Sequence, residues 1–205
     1  MPTGNIKTII FDFGNVVAFF DFQIAFRKIK EHTELSVEQI TAMMSSSGLA
    51  TKYETGQMTS EEFLGAVHEL LALRCEPEVT KSAWMDIFRP NEAVCSLIPR
   101  LKSGYRIQLG SNTNDLHAKQ FLKQFADTFV HVDAFTLSHE VGAMKPDARF
   151  YEHAVELSGS KPEECVFIDD LKANIEGAMA CGLQGVHYTD HTILERRFEE
   201  LGIFV

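Results

Sequence analysis

The sequence predicts an α/β fold: a Rossmann-like doubly wound parallel sheet interrupted by an all-helical insertion. Three observations carry that expectation. The second half alternates short apolar runs with single helical patterns, an order that right-handed crossovers turn into a parallel sheet. Residues 6–13 form an isolated apolar run of the kind found in strands buried on both faces. Between these regions, residues 22–88 show helical patterns with no clear strand. The expected division is a core of residues 1–17 and 91–205, with a helical cap inserted at 18–90.

Each element has a local reason. Within the insertion, Ser36 with Gln39 and Thr59 with Glu62 have capping-box spacing ahead of apolar-periodic segments. Arg89-Pro90 closes the stretch. Helix is expected over 91–102, strand over 105–109 after Gly104, helix over 115–125 and strand over 134–137. Pro146 suits a first helical turn, so a helix over 146–158 follows, with Gly159 as its stop. A strand over 165–168, a helix over 173–181 ending at Gly182, and a strand over 185–187 complete the pattern.

At 205 residues, with 45% hydrophobic and 23% charged residues, the chain suits one large domain and excludes a disordered or low-complexity protein. Lys+Arg 19 against Asp+Glu 29 gives a formal net charge of -10, which repels a phosphate backbone and argues against a nucleic-acid partner. An anionic small substrate then needs a local cation, either a Lys or a bound metal. No basic leader opens the sequence. The apolar stretch 8–20 carries Asp12 and is too short to span a bilayer. Cys75, Cys95, Cys165 and Cys181 are scattered without a CxxC pair. These features lead to the expectation of a reduced, cytoplasmic protein without membrane attachment, as a monomer or homodimer.

In an open parallel sheet, ligands bind beyond the carboxyl ends of the strands. The polar residues expected there are few. Asp12 ends the first strand, Ser111-Asn112-Thr113-Asn114 follow the second, Lys145-Pro146-Asp147 precede a helix, and Asp169-Asp170 end the strand at 165–168. Asp12, Asp169 and Asp170 carry three negative charges and Lys145 returns one positive. A divalent hard cation would bring the cluster to neutrality, and an all-oxygen ligand set suits Mg²⁺. A neutral pocket of this kind accepts a phosphate dianion and leaves one carboxylate to attack phosphorus.

Four segments, IIFDFGNVV, LGSNTN, VGAMKPDARFYEHA and VFIDDLKANIEGA, occur in this order, each at an expected strand end. Together they resemble the four motifs of the haloacid dehalogenase superfamily of aspartate-dependent phosphohydrolases, over nearly the whole chain. The resemblance implies that Asp12 is the nucleophile and a metal ligand, and that Gly14 offers the metal its backbone carbonyl. It further implies that Ser111 and the backbone of Asn112 bind phosphate oxygens and that Lys145 pairs with Asp12 and the phosphate. Asp170 would then ligate Mg²⁺ directly and Asp169 through a coordinated water, with Asn174 bonded to groups around them. Members with a small helical cap place a loop over the site; Tyr53-Glu54-Thr55-Gly56 resembles that loop, which makes Tyr53 and Glu54 candidate substrate contacts. The implied activity is Mg²⁺-dependent hydrolysis of a small phosphorylated metabolite, a sugar phosphate and among those a sugar 1-phosphate, through an aspartyl-phosphate on Asp12.

One position departs from the pattern. Most phosphatases of the superfamily carry a second Asp two residues after the nucleophile as general acid and base, and here that position is Gly14. A placed proton donor is worth roughly 10²–10⁴ in rate, so its loss matters least where the leaving oxygen is acidic, as in a sugar 1-phosphate. Water or a cap residue could stand in, with Asp21 nearest in sequence. Two other readings stay open: a phosphate-binding or regulatory protein without turnover, and a metal-independent dehalogenase using the same Asp. His187 and His191 read as surface residues, and Phe11, Phe13, Phe19, Phe20, Phe22 and Phe26 as core and hinge.

Overall fold

The structure, a computed structural model, describes residues 6–204. Its strands are β1 (Thr8–Phe11), β2 (Ala18–Phe20), β3 (Phe88–Pro90), β4 (Arg106–Ser111), β5 (Ala134–Leu137), β6 (Cys165–Asp169) and β7 (Gln184–His187). Five of them form one parallel sheet in the order β5-β4-β1-β6-β7. Residues of a strand point alternately to its two faces, and β1 shows the consequence. Ile9 and Phe11 join the larger apolar cluster, whereas Ile10 packs on the other face with Phe150, Tyr151 and Phe167. Burial on both faces explains why the run reads as continuously apolar.

The insertion holds helices α1 (Phe22–Ile29), α2 (Val37–Ser47), α3 (Leu49–Glu54), α4 (Ser60–Leu70) and α5 (Pro77–Met85). Ser36 and Thr59 both form the capping boxes their spacing predicts, with Gln39 and Glu62 reaching back. The core helices are α6 (Glu92–Leu101), α7 (Asp115–Gln124), α8 (Ala126–Phe129), α9 (Ser138–Val141), α10 (Ala148–Ser158), α11 (Lys172–Ala180) and α12 (His191–Leu201). The expected helix over 146–158 starts two residues late because the Asp147 side chain caps it, accepting from the Arg149 N–H at 3.0 Å.

Two features lie outside the expectations. β2 and β3 pair antiparallel, Phe19 opposite Arg89, so a two-stranded ribbon stands where the insertion leaves and rejoins the core. Strands of three residues give no alternation to read, and the helical stretch expected to reach residue 88 stops at Met85. The second is α12, whose few buried residues Leu194, Phe198 and Leu201 sit at spacings of four and three in an otherwise polar segment. All four cysteines are free. Among the described residues, no helix is long and apolar enough to cross a membrane. Residues 1–5 and 205 of the expected core segments lie outside the described residues.

The topology itself selects one place on the sheet. From β1 the chain fills β4 and β5 on one side, then crosses to β6 and β7 on the other. β1 therefore stands at the switch point, where a crevice opens beyond the strand ends.

Candidate active site

Asp12 is the first residue after β1. Its N–H continues the ladder to the Ile168 carbonyl at 2.8 Å, and its Oδ1 accepts from the Phe13 N–H at 2.7 Å. Lys145 reaches it from the loop before α10: Nζ lies 2.7 Å from Asp12 Oδ1 and 2.7 Å from Asp169 Oδ2. The third ammonium N–H donates to the Gly110 carbonyl at 3.1 Å, so the donor capacity of Lys145 is filled. The Asn112 side chain clamps the backbone of Lys145, accepting from its N–H at 2.8 Å and donating to its carbonyl at 3.1 Å. Asp169 is fully buried and is held by the Asn174 amide at 2.9 and 3.1 Å and by the Leu171 N–H at 2.8 Å. Asp170, half-buried beside it, accepts from Asn15 Nδ2 at 3.0 Å.

The electrostatics of this cluster are unbalanced. Three negative charges face one positive charge in a largely buried setting. Burial raises the Asp12 carboxyl well above its usual range; Lys145 opposes the rise, and the Asp169 and Asp170 charges add to it. Burial also works against the Lys145 ammonium, but Asp12 and Asp169 outweigh that and hold its pKa above the ordinary lysine value. One carboxylate oxygen from each of Asp12, Asp169 and Asp170 lies within 4.8 Å of the others. Hard oxygen donors that close together, with a net charge of minus two, fit a divalent cation and would be mutually repulsive without one.

On the side facing the insertion lies a cavity of about 70 Å³, lined by Phe13, Gly14, Phe20, Phe22, Glu54, Ile87, Phe88, Ser111, Asn112 and His117. Ser111 and Asn112 thus open onto it from the core and Glu54 from the end of α3. Tyr53 does not line it. Its ring is buried against Phe63, with centroids 4.4 Å apart. Its hydroxyl accepts from the Leu116 N–H at 3.1 Å and lies 2.8 Å from Ser60 Oγ, which donates to Asp115 at 2.6 Å. Tyr53 is therefore a tie between the insertion and α7. Asp21 is also elsewhere. It is exposed, caps α1 by accepting from the Gln23 N–H at 2.8 Å, and is absent from the cavity wall, which corrects the expectation that it could stand in for the acid at position 14.

Gly14 lies under an aromatic ring. A Cβ there would sit 2.8 Å from Cε1 of Phe20, the partly exposed β2 ring that shares the cavity wall, and that ring would have to turn aside. Sequence reasoning also missed Asn15 and His187. Asn15 adopts φ 55, in the left-handed region that Asn tolerates, and this places its amide on Asp170. His187 is exposed, as its surface reading expects, and its Nε2 also donates to the Asp170 carbonyl at 2.9 Å. The Asn following Gly14 was the available signal for the first; nothing local marks the second.

Comparison with known proteins agrees with this geometry. A family model described as haloacid dehalogenase-like hydrolase matches residues 6–182. The chain belongs to that family. Among curated relatives of this hydrolase, a D-ribitol-5-phosphate phosphatase from Bacteroides thetaiotaomicron is 25% identical over 185 residues, covering 87% of this chain and 90% of that protein. A sesquiterpene phosphatase from Aspergillus oryzae is 26% identical over 188 residues, covering 90% of each. Among solved structures, a haloacid dehalogenase family enzyme from Bacteroides thetaiotaomicron, in complex with magnesium and inorganic phosphate, superposes with a TM-score of 0.80 at 23% identity. That alignment covers 90% of this chain and 94% of the other, and it shows that the hydrolase shares its fold.

Proposed function

We propose that this hydrolase is a Mg²⁺-dependent phosphatase that moves the phosphoryl group of a small phosphorylated metabolite onto Asp12 and then to water. The observation that carries the reading is the bridge of Lys145 between Asp12 and Asp169, with Asp170 close enough to share an ion. Asp12, Asp170 and the Gly14 carbonyl would hold Mg²⁺. Both oxygens of Asp169 already accept protein hydrogen bonds, which supports contact through a water. When bound, the ion neutralises the phosphate dianion so that an anionic nucleophile can approach it.

The chain's own residues do the rest. Lys145 fixes the Asp12 carboxylate by its 2.7 Å bond to Oδ1. With its three N–H groups directed at protein oxygens, Lys145 contributes charge and orientation before any direct contact with the phosphate. Ser111 and Asn112, at the mouth of α7, supply a hydroxyl and a backbone N–H for the equatorial oxygens, near a helix N-terminus where anions are favoured. Residues 18–90 act as a cap whose α3 end closes the site. Two relatives bearing the name phosphatase support ester hydrolysis. Within that class a sugar phosphate is the reading, and sugar 1-phosphates come first because their leaving oxygen is the most acidic.

The test is phosphate release from glucose 1-phosphate, glucose 6-phosphate, ribitol 5-phosphate and a set of nucleotides, with Mg²⁺ or with EDTA. Release from a sugar phosphate that vanishes with EDTA supports the reading. Halide release from 2-chloropropionate that persists in EDTA, with no phosphate release from any substrate, would replace it by a dehalogenase. Phosphate binding without turnover on the whole set would replace it by a regulatory protein.

A further inference from the structure

We propose that Glu54 is the general acid and base of this site, doing from the cap the work that Gly14 cannot do from the core. The assignment rests on the phosphatase reading above. It begins with the cavity, which joins the phosphate-binding residues Ser111 and Asn112 to Gly14 on one side and Glu54 on the other. An acid at position 14 would have to share this space with the Phe20 ring, which lies 2.8 Å from the place of a Cβ and would have to turn toward solvent; the chain carries Gly there and its carboxyl on the opposite wall, at Glu54.

Elimination then leaves one proton donor. Two titratable groups line the cavity, Glu54 and His117. Both ring nitrogens of His117 are engaged, Nδ1 with the Asn114 amide at 3.0 Å and Nε2 with the Trp84 carbonyl at 3.0 Å. That pattern fixes the neutral ring with the proton on Nε2, donated away from the cavity. Burial holds the His117 pKa down to about 4. Phe13, Phe20, Phe22, Ile87 and Phe88 supply the remaining wall and have nothing to transfer.

Glu54 is held where this role needs it. It is the last residue of α3, and both flanks of its loop are fastened to the core. On one side the Tyr53 hydroxyl accepts from Leu116, on the other Gly56 lies against α9 so closely that a Cβ would come within 2.3 Å of the His139 carbonyl oxygen. Burial among the apolar walls pushes the Glu54 carboxyl up to about 7, near the value at which a group can both give and take a proton under neutral conditions.

The step balances. Asp12 Oδ attacks phosphorus and the bond from phosphorus to the ester oxygen breaks, while that oxygen takes the proton of the Glu54 carboxyl and leaves as an alcohol. Glu54 is now a carboxylate. It takes a proton from the water that attacks the aspartyl-phosphate. The bond from phosphorus to Asp12 breaks, and phosphate, the Asp12 carboxylate and a protonated Glu54 result. The lining residues include no Lys or Arg, so this wall itself offers no cation to a second anionic group.

The experiment compares Glu54→Gln with wild type on two esters in the presence of Mg²⁺: p-nitrophenyl phosphate, whose leaving group departs unaided, and the best sugar or polyol phosphate found. Glu54→Gln is expected to lose roughly 10²-fold or more in kcat/KM on the sugar or polyol phosphate and less than about 10-fold on the nitrophenyl ester. Equal losses on both, or no loss on either, overturn the role. Gly14→Asp with Phe20→Ala, built into Glu54→Gln, restores an acid at the core position and is expected to recover at least about a tenth of the lost rate on the alkyl ester. A wild type inert toward both esters overturns the phosphatase reading and the assignment with it. A wild type active on both, with equal losses in Glu54→Gln, overturns the assignment alone.

Discussion

The two sides of the site are built on opposite principles. On the core side, Asp12, Lys145, Asp169, Asn174 and Asn112 form a closed set in which nearly every polar atom has a partner within 3.1 Å. On the cap side, the wall is mostly aromatic and holds one carboxyl group whose pKa burial has raised to about 7. The core side fixes charge and geometry and is suited to one chemical step. The cap side supplies an apolar, low-dielectric wall beside it. Charge and geometry are therefore concentrated in one half of the site and an apolar surface in the other.

The largest expected effect falls on Asp12, the proposed nucleophile. Asp12→Asn is expected to remove phosphate release by roughly 10⁴-fold or more, measured as kcat on the best substrate, because no neighbouring oxygen can replace a nucleophile held this way. Lys145→Met would expose the closed character of the core side. It leaves two buried carboxylates without their cation and is expected to cost about 3–5 kcal/mol in urea unfolding of the metal-free protein. An unfolding midpoint unchanged from wild type would contradict the closed-set description.

The cap side is expected to respond in rate before stability. Gly56 has φ +70 and its missing Cβ would lie 2.3 Å from the His139 carbonyl oxygen, so Gly56→Ala must lift the α3 loop away from the core. A displacement of that order is expected to lower kcat/KM by about 10²-fold with a folded protein by circular dichroism. The two sides also differ in what abolishes their response to pH. Glu54 favours its protonated form when folded, so its contribution to stability is full below about pH 4.5 and is lost as pH rises through about 7. Asp12 is raised in the same direction by burial, so the metal-free protein should lose stability from weakly acidic to weakly alkaline pH. Saturating Mg²⁺ should remove the Asp12 part and Glu54→Gln the Glu54 part, both read by thermal unfolding across pH. The smallest effect belongs to the scaffold: Ser36→Ala deletes one capping box, should cost about 1 kcal/mol, and should leave kcat/KM unchanged.

The same contrast explains how much could be read from the chain. Core chemistry is written at strand ends, where an apolar run stops at a polar residue, so Asp12, Ser111, Asp169 and Asp170, and Lys145 before its helix, were legible together with the parallel sheet that gathers them, though not its strand order. Helix starts were legible too, because Ser36 and Thr59 carry their caps within three residues. The cap side depends on apposition across long separations. Phe20 closes over Gly14 through the pairing of β2 with β3, two strands too short to show a pattern, and Glu54 meets Ser111 only after α3 docks. Asp21 was nearest in sequence, yet its carboxylate serves α1 instead. Tyr53 and Glu54 are neighbours in the chain, but one side chain faces the helical interior and the other the cavity.

Turnover through Asp12 requires that this residue become phosphorylated, and mass spectrometry of peptides from enzyme quenched in acid during turnover detects that phosphoryl group. With a Mg²⁺-loaded enzyme and its best sugar phosphate, one phosphoryl group is expected on the peptide carrying Asp12 and none in the EDTA control. Phosphate released at the same rate with that peptide unmodified, or modification at any other residue, would contradict it.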